Sequence, residues 1–179
     1  MAKKISKKPS KKSSLKKAPA KNARKGPSLL VVESPAKERT ISRFLKNDFI
    51  VKSSFGHVRD LPVRKIGVDI EDDFAPQYVV LPRAKKILKE FKGLASKAPY
   101  VYLATDHDRE GESIAWHLVD MLKLKPEQVR RITFHEITPG AIRDAIAEPR
   151  AIDENLVHAQ QARTRWPRPA LRWAPAPRR

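Results

Sequence analysis

Two short apolar runs, "LLVV" at 29–32 and "YVYLAT" at 100–105, each give way within a few residues to acids and then to a helix-like pattern. Runs of four to six such residues have strand length, and a strand without a polar face is buried on both sides. Strands of this kind alternating with helical stretches fold as an α/β domain, a mainly parallel sheet flanked by helices.

The segments between them fit that frame. In "ESPAKERTISRFL" Ser34 is placed to cap a helix and Pro35 to open it, with Ile41, Phe44 and Leu45 on one apolar face. A strand is expected over 49–54, running into "FGHVRDLP", where Gly56 and Pro62 mark a turn-rich loop. Residues 83–97 read as a helix with Ile87, Leu88, Phe91 and Leu94 on one side, and 111–122 as another with Ile114, Ala115, Leu118, Val119 and Leu122 facing the core. "VRRITF" reads as a further strand, Thr138 and Pro139 start a helix, and a last helix begins near Asp153. Residues 63–82 carry no pattern that places them.

Sites in parallel sheets form at the carboxyl ends of strands. Glu33 follows the first apolar run, and Asp106, Asp108, Glu110 and Glu112 follow the second within seven residues. Two unit charges about 5 Å apart repel by roughly 3 kcal/mol at an effective dielectric near 20. Acids this dense need open water or a cation. Mg²⁺ suits them, since it takes oxygen ligands and is commonly held by one or two carboxylates together with a phosphate. On an extended segment Asp106, Asp108 and Glu110 would project to one side, while Glu112 would sit in a first helical turn favoured by the helix dipole. Ordinary helix-start acids are the competing explanation. Lys37 in the first turn of its helix runs against the dipole, a cost of up to about 1 kcal/mol that makes sense if it and the helix N-terminus receive a phosphate. His57 and Arg59 can reach the same edge from their loop, whereas Glu136 in "FHEITP" is as readily a helix-flanking acid. Tyr78, Tyr100 and Tyr102 read as packing residues.

The formal net charge is +18, yet residues 1–28 hold eleven Lys/Arg and no acid, and residues 163–179 hold six Arg and no acid. The remaining twenty-one basic residues face all twenty acids in the middle of the chain. Basicity therefore belongs to the tails, where it gives nonspecific, salt-sensitive affinity for nucleic acid. With no cysteine, a disulfide framework and a thiolate zinc site are both excluded. No apolar run approaches the ~20 residues of a membrane span, so a cytoplasmic protein without membrane contact is expected.

Taken together and in order, "VVESPAKERTI", "SSFGHVRDLP", "ATDHDREGESIAWHL", "ITFHEIT" and "NLVHAQQAR" resemble the N-terminal part of the bacterial type IA DNA topoisomerases, the topoisomerase I family, over about residues 29–163. The resemblance implies a Rossmann-like Toprim domain over 29–150 and the start of a following helical domain at 151–163, while the basic stretches 1–28 and 164–179, with almost nothing to bury, are expected to be disordered tails. It implies that Glu33 is the acid near the scissile phosphate and that Asp106, Asp108 and Glu110 bind Mg²⁺. Lys37 would contact the phosphate, His57 would order the DNA-bound site, and Arg59 and Arg163 would contact DNA. It further implies a monomer acting on single-stranded or negatively supercoiled DNA in the bacterial nucleoid. Cleavage, strand passage and religation in that family proceed without ATP through a 5′-phosphotyrosine.

After "QQAR" the family pattern breaks off into "TRWPRPALRWAPAPRR", whose prolines oppose a long helix. Its Arg, Pro and Ala content is that of G+C-rich codons, which suggests an out-of-frame tail and a chain without the nucleophilic-tyrosine domain, acting in trans with it if at all. A free-standing Toprim nuclease and a nonenzymatic DNA-binding module are the alternatives.

Overall fold

In a computed structural model, which describes residues 26–62, 67–69, 71 and 75–165, Ser28–Val32 (β1) is buried along its whole length. It pairs in parallel with Phe49–Ser53 (β2) on one edge and with Val101–Ala104 (β7) on the other. Val129–Arg131 (β8) adds in parallel to β7, giving the order β2-β1-β7-β8. Sheet pleating sends alternate residues of β1 to opposite faces. Leu29 and Val31 join Phe91 and Ala95 of Pro82–Lys97 (α2) and Ile114 and Leu118 of Arg109–Leu122 (α3). Leu30 and Val32 join Ile41 of Pro35–Leu45 (α1) and Ile142 of Pro139–Ala147 (α4). Burying such a side chain contributes roughly 1.5–3 kcal/mol, and β1 delivers four of them to two cores at once. That is why its sequence has no polar side.

The expected α/β layering is thus present, and the local start signals operate as read. Ser34 Oγ accepts from the Lys37 backbone N–H at 3.3 Å, and Thr138 Oγ1 from that of Ala141 at 3.3 Å. Asp153 Oδ1 accepts from Asn155 N at 2.9 Å and starts the last helix, Glu154–Arg165 (α5), which lies against α3. Several boundaries move by one to three residues. Ser28, expected in the N-terminal tail, pairs with Phe49 as the first residue of β1. Helix α5 runs to Arg165, past the expected 163. The extended segment after β7 stops at Asp108, so α3 starts at Arg109 rather than Gly111.

Described residues of 63–82 take part in two small antiparallel ladders. Arg59–Asp60 (β3) pairs with Val79–Val80 (β6), and Val68–Asp69 (β4) with Ala75–Pro76 (β5). Residues 1–25, 63–66, 70, 72–74 and 166–179 lie outside the described residues, and with them most of both expected tails. Among the described residues no helix is long and apolar enough to cross a membrane.

Arg59 does not face the acids as a free cation. Its guanidinium lies 5.2 Å from the Tyr78 ring centroid and 5.3 Å from that of Trp116, pairs with Asp120 at 2.8 Å, and donates from Nε to His117 Nδ1 at 2.6 Å. A cleft of about 530 Å³ opens beside it, lined among others by Tyr78, Trp116, Asp120 and His158. Burial first, and then the nearby Arg59 and His57, push His117 down to about 3. It stays neutral in the fold while the unfolded chain protonates it below 6.5. Its contribution to stability is therefore complete above pH 6.5 and lost as pH falls toward 3. His117→Gln should remove about 2 kcal/mol of the fall in unfolding free energy between pH 7 and 5, read by urea denaturation at both values.

Candidate metal and phosphate site

The chain leaves β1 for β2 on one side and crosses to β7 on the other, so the sheet has its switch point between β1 and β7. Val32 lies opposite Ala104 in the ladder. Glu33 and Asp106 consequently emerge from adjacent strand ends on one edge.

The β2 end is folded onto this edge by backbone bonds. Glu33 O accepts from Ser53 Oγ at 3.0 Å and from Gly56 N at 3.1 Å, and Val32 O accepts from Ser54 N at 2.9 Å. Phe55 and Gly56 both have positive φ, +56° and +81°. Only glycine takes that region without cost, so Phe55, half exposed at 52%, is held there by its surroundings, including a bond from its N–H to Ser53 Oγ at 3.1 Å. This turn delivers His57, whose Nε2 meets Glu110 Oε1 at 2.5 Å. From α1, the Lys37 ammonium forms an ion pair with Asp106 Oδ1. The carboxylate offsets the unfavourable position of a first-turn lysine.

The acidic loop wraps onto the first turn of α3. Asp108 Oδ1 accepts from Gly111 N at 2.7 Å, capping the helix, and Thr105 Oγ1 donates to Gly111 O at 2.7 Å. A Cβ on Gly111 would stand 2.1 Å from Asp106 O and 2.8 Å from Asp106 N. The glycine is there for close approach.

Asp106, Asp108 and Glu110 therefore do not project together from an extended segment. Each is turned to a different partner, and among the described residues no three acidic or histidine side chains are grouped around a common metal position. The donor chemistry still fits Mg²⁺, which keeps several waters and needs one or two carboxylates with a phosphate. Burial, followed by the charge of Asp106 and then of Glu110 and Asp108, raises the Glu33 carboxyl above its usual range, with Lys37 opposing. An edge where three neighbouring acids raise the proton affinity of Glu33 is one that a dication relieves.

Glu112 lies in the first turn of α3, as expected, but not as a solvated acid. It is fully buried, receiving Arg131 Nε at 3.0 Å, the Arg150 guanidinium and the Asp153 backbone N–H at 3.1 Å. Arg131 is itself 0% exposed. Burial pulls its pKa down while the Glu112 carboxylate holds it up. The sequence marked neither as a pair. The hint was "VRRITF", a strand with two adjacent arginines next to the apolar run of β7. Arg163 stands exposed near the end of α5 and makes no hydrogen bond or ion pair with the acids, and Glu136 accepts from Thr138 Oγ1 at 3.0 Å as a helix-flanking acid.

Residues 28–137 match the Toprim domain. The chain belongs to the Toprim family. Full-length topoisomerase I from Thermotoga maritima is similar to it at 45% identity, with a TM-score of 0.72, over 77% of this chain and 23% of that one. The resemblance to the Toprim part of a bacterial type IA topoisomerase is thereby borne out, and the chain spans under a quarter of that relative's length.

Two substitutions separate strain from function in this Toprim edge. The raised Glu33 carboxyl costs the metal-free fold stability as pH climbs above 4.5, where the unfolded chain has already lost its proton. Glu33→Gln should raise the melting temperature at pH 7 by a few degrees, and the gain should vanish below about pH 4 in thermal unfolding followed by circular dichroism. Gly111→Ala should instead cost about 1–3 kcal/mol and displace the Asp106 backbone, read as changed amide shifts over 105–108.

Proposed function

We propose that this chain supplies the metal- and phosphate-handling side of a type IA topoisomerase cleavage site. The observation that carries the reading is the convergence of Glu33 with Lys37, His57 and the Asp106–Glu110 loop at one switch point, in a domain similar to topoisomerase I. Asp106 and Asp108, with Glu110 beside them, would hold Mg²⁺. When bound, Mg²⁺ supplies charge neutralisation and orientation to a DNA phosphate. Lys37 passes from Asp106 to a phosphate oxygen, stabilising charge that builds up during transfer. His57 orders the strand at the same edge. Glu33, on the same edge, would stand beside the 3′ oxygen that leaves as tyrosine attacks phosphorus, relaying the proton that oxygen gains on cleavage and gives up on religation.

The attacking tyrosine is proposed to come from outside this chain. Tyr100 and Tyr102 pack edge to face with each other, Tyr102 also against Phe49, and Tyr78 against His117. Burial raises the Tyr102 phenol further from ionisation. These residues are proposed to bind Mg²⁺ and DNA weakly, as a monomer on nucleoid DNA in the bacterial cytoplasm, and to relax supercoils only together with a domain that carries the tyrosine.

The deciding experiment is Mg²⁺-dependent relaxation of negatively supercoiled plasmid, resolved from nicked and linear products, with an Asp106→Asn/Asp108→Asn control. No relaxation by the chain alone, with metal binding lost in the control by calorimetry, is expected. Relaxation by the pure chain would overturn the assignment of the nucleophile. Nicking abolished by the double substitution would favour a Toprim nuclease, and DNA binding lost on removing residues 1–25 but untouched by the double substitution a nonenzymatic module.

A further inference from the structure

We infer that Arg131 is the positioning residue of the acidic loop, a role that rests on the metal-site reading above and that the loop's own sequence does not suggest. Its guanidinium lies beneath the carboxyl end of β7 and reaches nearly every carbonyl there. Nη1 donates to Leu103 O at 2.9 Å, to Thr105 O at 2.8 Å and to Ile132 O at 2.6 Å. Nη2 donates to Asp106 O at 2.8 Å, and Nε to Glu112 at 3.0 Å. The ladder between β7 and β8 ends at Leu103 and Arg131. Beyond it the carbonyls of Thr105 and Asp106 have no strand to pair with, and one side chain takes the place of that strand.

The consequence concerns where the carboxylates stand. Asp106 O is fixed by Arg131 from below, and on the helix side the Asp106 backbone occupies the space that a Cβ at position 111 would take. Asp106 leaves this clamped backbone toward Lys37, and Asp108, two residues on, turns back to cap α3. A planar, forked cation is required, because its five donors must point at several carbonyls at once. A lysine ammonium, a single nitrogen, cannot span them. Glu112 does something different, neutralising the buried guanidinium and tying it to Arg150 and to the start of α5.

Three variants of the full chain separate loop positioning from general stability. Arg131→Lys keeps the charge and loses the fork. Glu112→Gln weakens the ion pair and keeps the carbonyl bonds. Glu112→Met/Arg131→Met replaces the pair by apolar side chains, a change often neutral for folding. The readouts are amide hydrogen exchange over 104–108 in metal-free protein and Mg²⁺ affinity by calorimetry, at a temperature where each variant is folded. Expected are about tenfold or greater acceleration of exchange in that loop, with β1 amides unchanged, and about tenfold weaker Mg²⁺ binding, in Arg131→Lys and in the double variant. Glu112→Gln should retain loop protection even though its melting temperature falls. Equal loop protection in parent and double variant would overturn the inference, as would loss of loop protection in all three in proportion to their stability. If the parent binds no Mg²⁺ yet its loop loosens selectively without the fork, the positioning role stands and the metal assignment falls.

Discussion

The parallel register of β1 against β7, with Val32 opposite Ala104, is the constraint on which everything else depends. It places two strand ends level at the point where the sheet order reverses, and loops from both neighbouring connections close over that point. A slip of one residue would turn every side chain of β1 to the opposite face. The apolar content of β1 on both faces does not itself forbid that slip. The loop contacts do, because Ser54 N, Gly56 N and Ser53 Oγ all seek carbonyls at the end of β1.

Much of this was readable from residues because it is local or periodic. Short apolar runs gave the strands, the spacing of Phe91 and Leu94 gave a helix face, and Ser34 and Thr138 gave helix starts, each through physics acting over three or four residues. The placement of Glu33 and Asp106 on one edge needed only the topological rule for parallel sheets. The detail of the acidic stretch was not readable, since alternation along an extended segment and capping by Asp108 compete over the same residues, and the bond to Gly111 decides it. Arg59 was misplaced for a related reason: a loop arginine gives no sign that Tyr78, Trp116, His117 and Asp120 will enclose it.

The buried ions lay further out of reach. Charged residues are almost never fully buried unless paired, so a sequence reading assigns them to the surface by default. Glu112 and Arg131 are nineteen positions apart in the chain and meet only after α3 and β8 have folded onto each other. Such a pair adds little net stability over an apolar replacement. Its retention in a small sheet domain makes sense only through what its leftover donors hold, and those donors hold the ends of β7.

The Glu112 carboxylate also accepts from the backbone of Asp153, one residue ahead of α5, and pairs with Arg150, which bridges back to Arg131. The start of α5 and the backbone under the acids thus share one anchor. Helix α5 cannot fray from its first turn without withdrawing a donor from the carboxylate that neutralises Arg131. The two regions consequently belong to one cooperative opening unit, although they are distant in sequence. A pull applied along α5 would reach the sheet edge as a mechanical load before it disturbed either hydrophobic core.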